Sequence, residues 1–219
     1  MSDTTEQVLW QGWQQAGGYH LTRLTCRPGR GRATYHRHDP GAHHHEIVYG
    51  THMVADKADP GHCAGWLSTR EIRQRGYWQG EVSMLNLLAH TCCHEFAHLQ
   101  QSLTGVRRRG QVHTPRFYQL LDDLHQCGAA DTVRDTLFEL ARARQLPLSA
   151  TPHTLPAEPR ERLAAYAPGD AVLFGQAPDV RTGQVIRVNR KTCTVMGTGR
   201  HRGLRFRVPP GLLWHQEAG

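Results

Sequence analysis

At 219 residues the chain can enclose one sizeable core, or one domain and a smaller companion. Its apolar runs are far too short for a membrane span, and Met1 to Gln7 is polar and acidic rather than basic then apolar. Neither a membrane protein nor a secretory leader is expected, and the cytoplasm is the default location. The net charge of +7 is unevenly placed: from Arg160 onward ten basic side chains stand against four acidic ones, a balance of +6, which points to a polyanion partner for the C-terminal part.

Residues 1–20 carry Val8, Leu9, Trp10 and Trp13, consistent with a short helix ending near Gly17-Gly18. Residues 21–45 contain Pro28, Gly29, Gly31, Pro40 and Gly41 and read as an irregular surface loop. The run His43-His44-His45 has the composition of a metal tract. On a strand, however, His44 would point away from its two neighbours. Glu46 to Val54 reads as a strand. Gly65-Trp66-Leu67 fits a second short strand, and Ser68 with Glu71 fits a capping box for a helical turn over 69–75.

A central helix is expected from about Gly80 to Leu103. At 100° per residue, Leu85, Leu88, Cys92, Phe96, Leu99 and Leu103 fall within about an 80° arc and form a core stripe. His94 and His98 lie roughly 130° or more from its centre, so the helix presents a histidine pair away from its core face. Two histidines four apart stand one turn above each other and can reach one metal ion. His94-Glu95-Phe96-Ala97-His98 is thus the His-Glu-x-x-His pattern of zinc peptidases, in which the glutamate acts on metal-bound water.

A catalytic zinc takes three protein ligands. The metzincin arrangement is excluded, because Gln101 and Thr104 stand where it needs Gly and His. A downstream carboxylate (Asp122, Asp123 or Glu139) is one source of the third ligand. His113 is the better one: Thr114 is a good N-cap and Pro115 a good first residue for the next helix, which holds His113 at a defined position. Phe117, Leu120, Leu121 and Leu124 give that helix its core face. A further helix is expected from Asp131 to Gln145.

Residues 146–165 are rich in proline and read as a linker between a domain at 1–145 and a module at 166–216. The module alternates short strands: 170–175, 183–189, 192–197 and 204–208, the last reading Leu-Arg-Phe-Arg-Val, apolar in and basic out. About fifty residues of this kind fit a small SH3-like barrel. The six cysteines form no Cys-x-x-Cys pair, so reduced thiols rather than a zinc ribbon are expected.

His94-Glu95-Phe96-Ala97-His98, a basic connector, then His113-Thr114-Pro115-Arg116-Phe117-Tyr118 resembles the SprT-like metallopeptidases. That family typically has a third histidine followed by Gly-Pro-x-Phe and a helix; here Thr114 replaces the glycine. Leu67-Ser68 is similar to the family's strand leading into a short helix. The resemblance spans roughly residues 46 to 127. The family's cysteine-rich zinc ribbon is absent and the basic module takes its place. Gly169-Asp170 and the turn Val188-Asn189-Arg190-Lys191-Thr192 look like KOW or SH3-like modules.

The expectation is therefore an α+β protein: a zincin-like domain followed by a basic SH3-like barrel. Zn²⁺ is held by His94, His98 and His113, and Glu95 is the general base in peptide-bond hydrolysis. The partners are a protein or peptide substrate and, through the barrel, nucleic acid, with nucleic-acid-associated proteins as one substrate class. Tyr118 or His125 could assist an oxyanion, but structural roles suit both. The competing expectation is a non-catalytic, zinc-stabilised nucleic-acid- or protein-binding module.

Overall fold

The computed structural model describes residues 1–18, 21–104, 112–155, 159–175 and 178–216. The basic connector Arg107-Arg108-Arg109 lies outside them. The chain divides into two compact units, Met1–Leu155 and Pro156–Gly219.

The first unit opens with consecutive helical segments, Ser2–Thr4, Thr5–Trp10 and Gln11–Gln15, whose Leu9 and Trp10 are buried. Glu6 Oε1 accepts the Cys26 amide at 2.6 Å, and the Thr5 and Tyr49 hydroxyls lie 2.7 Å apart, which ties this segment to a sheet. The sheet comprises β1 (Arg23–Gly29), β2 (Tyr35–Asp39) and β3 (His44–Gly50) in the order β1-β3-β2. β1 runs parallel and β2 antiparallel to β3. The stretch expected to be an irregular loop thus contains two strands. Pro28 is compatible because β1 is an edge strand, where a missing donor costs no ladder bond. The strand expected over 46–54 stops at Gly50, where a Cβ would lie 2.7 Å from the carbonyl oxygens of both Gly31 and Ala33; only glycine fits.

From there the chain enters α1 (Thr51–Asp56), and later α2 (Leu67–Arg75), which begins where a short strand was expected. The long helix α3 (Met84–Leu103) starts later than the pattern suggested. Trp78 and Gln79 sit at positive φ (46° and 60°), which breaks helical geometry, and the Ser83 side chain caps α3 by accepting the Asn86 amide at 3.1 Å. Its stripe Leu85, Leu88, Cys92, Phe96 and Leu99 is buried as expected, with Leu103 partly so. α4 (Pro115–Gln126) and α5 (Ala129–Ala143) pack Phe117, Leu121, Val133 and Leu137 into the same core. α5 begins after left-handed Gly128 rather than at Asp131, whose carboxylate instead accepts the Trp78 indole N–H at 2.8 Å.

The residues expected to form a linker, 146–165, divide between the two units. Leu148, Ala150 and Leu155 pack on the first core, the Leu85 amide donates to Ser149 O at 3.0 Å, and His153 N donates to Val82 O at 2.7 Å. An extended, proline-tolerant strip buries apolar side chains here, so the first unit continues past 145. The helix Pro159–Leu163 belongs to the second unit, where Leu163 is buried.

That second unit is one antiparallel sheet of β4 (Ala171–Phe174), β5 (Arg181–Val188), β6 (Cys193–Gly197), β7 (Arg205–Val208) and β8 (Leu213–His215), ordered β7-β6-β5-β4-β8. Val172, Phe174, Val185, Val195, Val208 and Leu213 alternate inward. The three-residue β8 was not read from the sequence. The protein is α+β with a small C-terminal β-domain, and no helix among the described residues is long and apolar enough to cross a membrane.

Candidate metal centre

The exposed Val112 and His113 precede Thr114, whose hydroxyl accepts the Phe117 amide at 3.3 Å and caps α4 as the sequence indicated. The same hydroxyl accepts Gln101 Nε2 at 2.8 Å. Gln101 is fully buried on the last turn of α3, so the end of one helix fixes the start of the next. His113 is thereby carried back over the histidine pair. Potential ligand atoms of His94, His98 and His113 lie within 4.8 Å of one another, with His94 Nε2 and His113 Nε2 3.2 Å apart. Phe117 forms an apolar floor, its ring centroid 4.3 to 4.9 Å from all three imidazoles.

Glu71, expected to close a capping box, has another job. Its Oε2 lies 2.9 Å from His94 Nδ1 and 2.9 Å from His90 Nε2. His90 Nδ1 in turn meets His125 Nε2 at 3.2 Å, and the His125 ring stacks on Tyr77 at 3.6 Å. A carboxylate accepts only, so both histidines donate to it, and a neutral His94 keeps its lone pair at Nε2, facing His113. Burial opposes the ionisation of Glu71, but the hydrogen bonds from His90 and His94 outweigh it and hold the carboxyl well below the usual range. Burial pushes His90 down to about 4 and His125 down to about 3, so these two imidazoles behind the carboxylate are neutral. Burial, then the neighbouring His94, lowers His113.

Glu71, His90 and His94 form a second buried group compact enough for an ion. Its short hydrogen bonds already satisfy the facing atoms, and His94 belongs to both groups. Glu71 and His90 are therefore best described as the support that orients His94 for the first group.

Glu95, 6 % exposed, lines a cleft of about 340 Å³ together with His94, His98 and His113. Tyr35, Met53, Trp66 and Val112 give the cleft apolar walls, and His36, Lys57, Ser68 and Thr91 add polar groups. Neither the downstream carboxylates nor His125 joins this cleft. Asp122 accepts from Arg75 and Tyr77, Glu139 lies 4.0 Å from Arg142, and His125 stands behind His90. The Tyr118 ring lies 6.2 Å from His113 and carries the Arg75 guanidinium at 4.6 Å.

The histidine run divides as strand geometry requires. His45 Nδ1 meets His36 Nε2 at 2.8 Å and its ring stacks on His38 at 4.2 Å, whereas His44 reaches Thr25 on the other face. His43 sits in a left-handed turn. Among the described residues, neither compact group of three ligand-bearing side chains includes any of these.

No family model, curated protein or solved structure matches the chain. The donor set stands on its own chemistry. Three imidazoles, one with its tautomer fixed by a carboxylate, suit a borderline divalent ion, and the groups described here could hold a metal.

Proposed function

We propose that the first unit is a zinc-dependent endopeptidase of the SprT-like, zincin-like kind. The observation that carries this is the convergence of His94, His98 and His113 in the cleft that Glu95 lines, with His94 Nδ1 committed to Glu71. Zinc held by three imidazoles supplies a Lewis acid for the scissile carbonyl and makes water more acidic. The chain does the rest. Glu95 accepts a proton from the attacking water and returns it to the leaving nitrogen. The apolar walls hold an extended segment and exclude competing water. Glu71 prevents His94 from presenting the wrong nitrogen. A structural zinc is enclosed by four ligands, whereas this trio has an exposed member, His113, on an open cleft; that favours catalysis over a purely metal-stabilised module. Cleavage of an unfolded protein by the zinc-loaded chain, abolished in Glu95→Gln with zinc retained, is the test.

The second unit supports a polyanion-binding reading. Arg205 and Arg207 are exposed on β7, flanking Phe206, over which Arg181 lies at 5.3 Å. Trp214 on β8 is 45 % exposed, an aromatic surface that the sequence did not reveal. Arginines with an open indole suit nucleic acid, which would bring nucleic-acid-associated proteins to the peptidase. Steeply salt-dependent binding of DNA or RNA supports this; no binding at low salt excludes it.

A further inference from the structure

Lys57 is 1 % exposed, although it borders the cleft. Its Nζ donates to Ser68 Oγ at 2.8 Å, Thr91 Oγ1 at 2.6 Å and Leu87 O at 3.3 Å. All three acceptors are neutral. The carboxylates of Glu95 and Glu71 act on it only through space, with no hydrogen bond to Nζ. A buried ammonium with no directly bonded anion is costly, and a carboxylate brought by a ligand offsets that cost. The local chain is built to hold it there: His153 Nε2 fastens the Lys57 carbonyl at 3.0 Å, and the Trp66 ring lies 5.9 Å from Nζ.

The two hydroxyls differ. Thr91 spends its proton on Leu87 O at 2.7 Å. Ser68 accepts from Lys57, which leaves its own proton to donate into the cleft, polarised by the ammonium behind it. Ser68 stands in the first turn of the nine-residue α2, whose N-cap Trp66 supplies no side-chain cap, so the dipole there adds to the positive field. Thr91 and Glu95 are four apart on α3, one turn or about 6 Å. Lys57 thus meets α3 one turn before the proposed base, and Ser68 and Glu95 line the same cleft.

We propose that Lys57 and Ser68 form a carboxylate receptor in the cleft that Glu95 also lines, and that this receptor selects peptides carrying a carboxylate beside the attacked bond. The inference rests on the peptidase reading for its substrate class. Ser68 donates directly to the carboxylate and Lys57 supplies the charge through it. Two sources share this chemistry: an Asp or Glu side chain, and the free C-terminus of a chain. Burial pushes Lys57 down to about 7, and an arriving carboxylate favours its charged form.

The test uses the zinc-loaded full chain and short acetylated peptides that differ at one site, titrated calorimetrically and assayed for cleavage. Glu is compared with Gln in amidated peptides, and a free C-terminus with its amide. At least one carboxylate form should bind tenfold or more tightly than its amide, and the arm that shows it names the source. Lys57→Met should bring that ratio to near one; Ser68→Ala, which keeps the ammonium, should cut it at least threefold and decides the matter should the lysine variant not fold. Equal binding of acid and amide forms, no detectable binding of any peptide at millimolar concentration, or an undiminished ratio in the variants overturns the receptor. Preference without cleavage leaves the receptor standing and removes the peptidase, whereas cleavage without preference does the reverse.

Discussion

Glu71 Oε2 sits 2.9 Å from His94 Nδ1, and the same oxygen takes the Nε2–H of His90 at 2.9 Å. One buried carboxylate thus fixes the tautomer of the first histidine of the motif and is itself held from behind by a second imidazole. Removing such support from a ligating histidine typically weakens metal binding 10- to 100-fold. Glu71→Ala should lose zinc affinity by about that factor in chelator competition. Affinity equal to that of the wild type would show that Glu71 is only a packing group.

The clamp between helices gives a second expectation. Gln101 and Thr114 share a hydrogen bond of 2.8 Å, and Thr114 also caps α4. Thr114→Ala should cost about 1 kcal/mol of stability through the lost cap. It should also weaken zinc binding, since His113 is its immediate neighbour. Gln101→Leu leaves the cap in place, and should lower zinc affinity with a smaller loss in urea midpoint.

A third concerns pH. Burial, reinforced by the charges of His38 and His44, pushes His45 down to about 4; burial also holds His90 at about 4, against an ordinary value of 6.5 for each. Between those values the unfolded chain binds protons that the native chain does not. Stability of the zinc-free protein should therefore fall as pH drops from 6.5 to 4, by up to about 1.4 kcal/mol per pH unit for each histidine. Urea midpoints across that range should show the slope, and His45→Phe should flatten it.

For the β-domain, each phosphate contact by an arginine contributes about 0.9 to the salt slope of binding. Arg205→Ala with Arg207→Ala should lower the slope of log affinity against log salt by roughly 2, and Trp214→Ala should weaken single-stranded ligands more than duplex. An unchanged slope would reduce these charges to solubility.

The central helix, its core stripe and the capped start at Thr114 were legible because they rest on local rules: period, cap and proline. The trio was legible for the same reason, since four-residue spacing and a fixed cap leave few alternatives. The sheet was not. β1 contains Pro28 and pairs in parallel with residues 21 positions farther on, from Arg23 with His44 to Gly29 with Gly50, a tertiary fact invisible to local pattern. Glu71 was misread because Ser68 and Glu71 have capping-box spacing. Only the fold brings Glu71 to His90 and His94 and gives Ser68 to Lys57. Lys57 carried no signal, since nothing in a sequence marks which lysine will be buried.

In the proposed site His94, His98 and His113 hold one zinc ion for Glu95 to work beside. The most direct measurement is metal content and peptidase activity on the same preparations of wild type, Glu95→Gln and His113→Ala. The expected result is one zinc per chain with turnover in the wild type, one zinc and at least 100-fold less turnover in Glu95→Gln, and loss of both in His113→Ala. Undiminished cleavage by Glu95→Gln, or full zinc occupancy in His113→Ala, would contradict it.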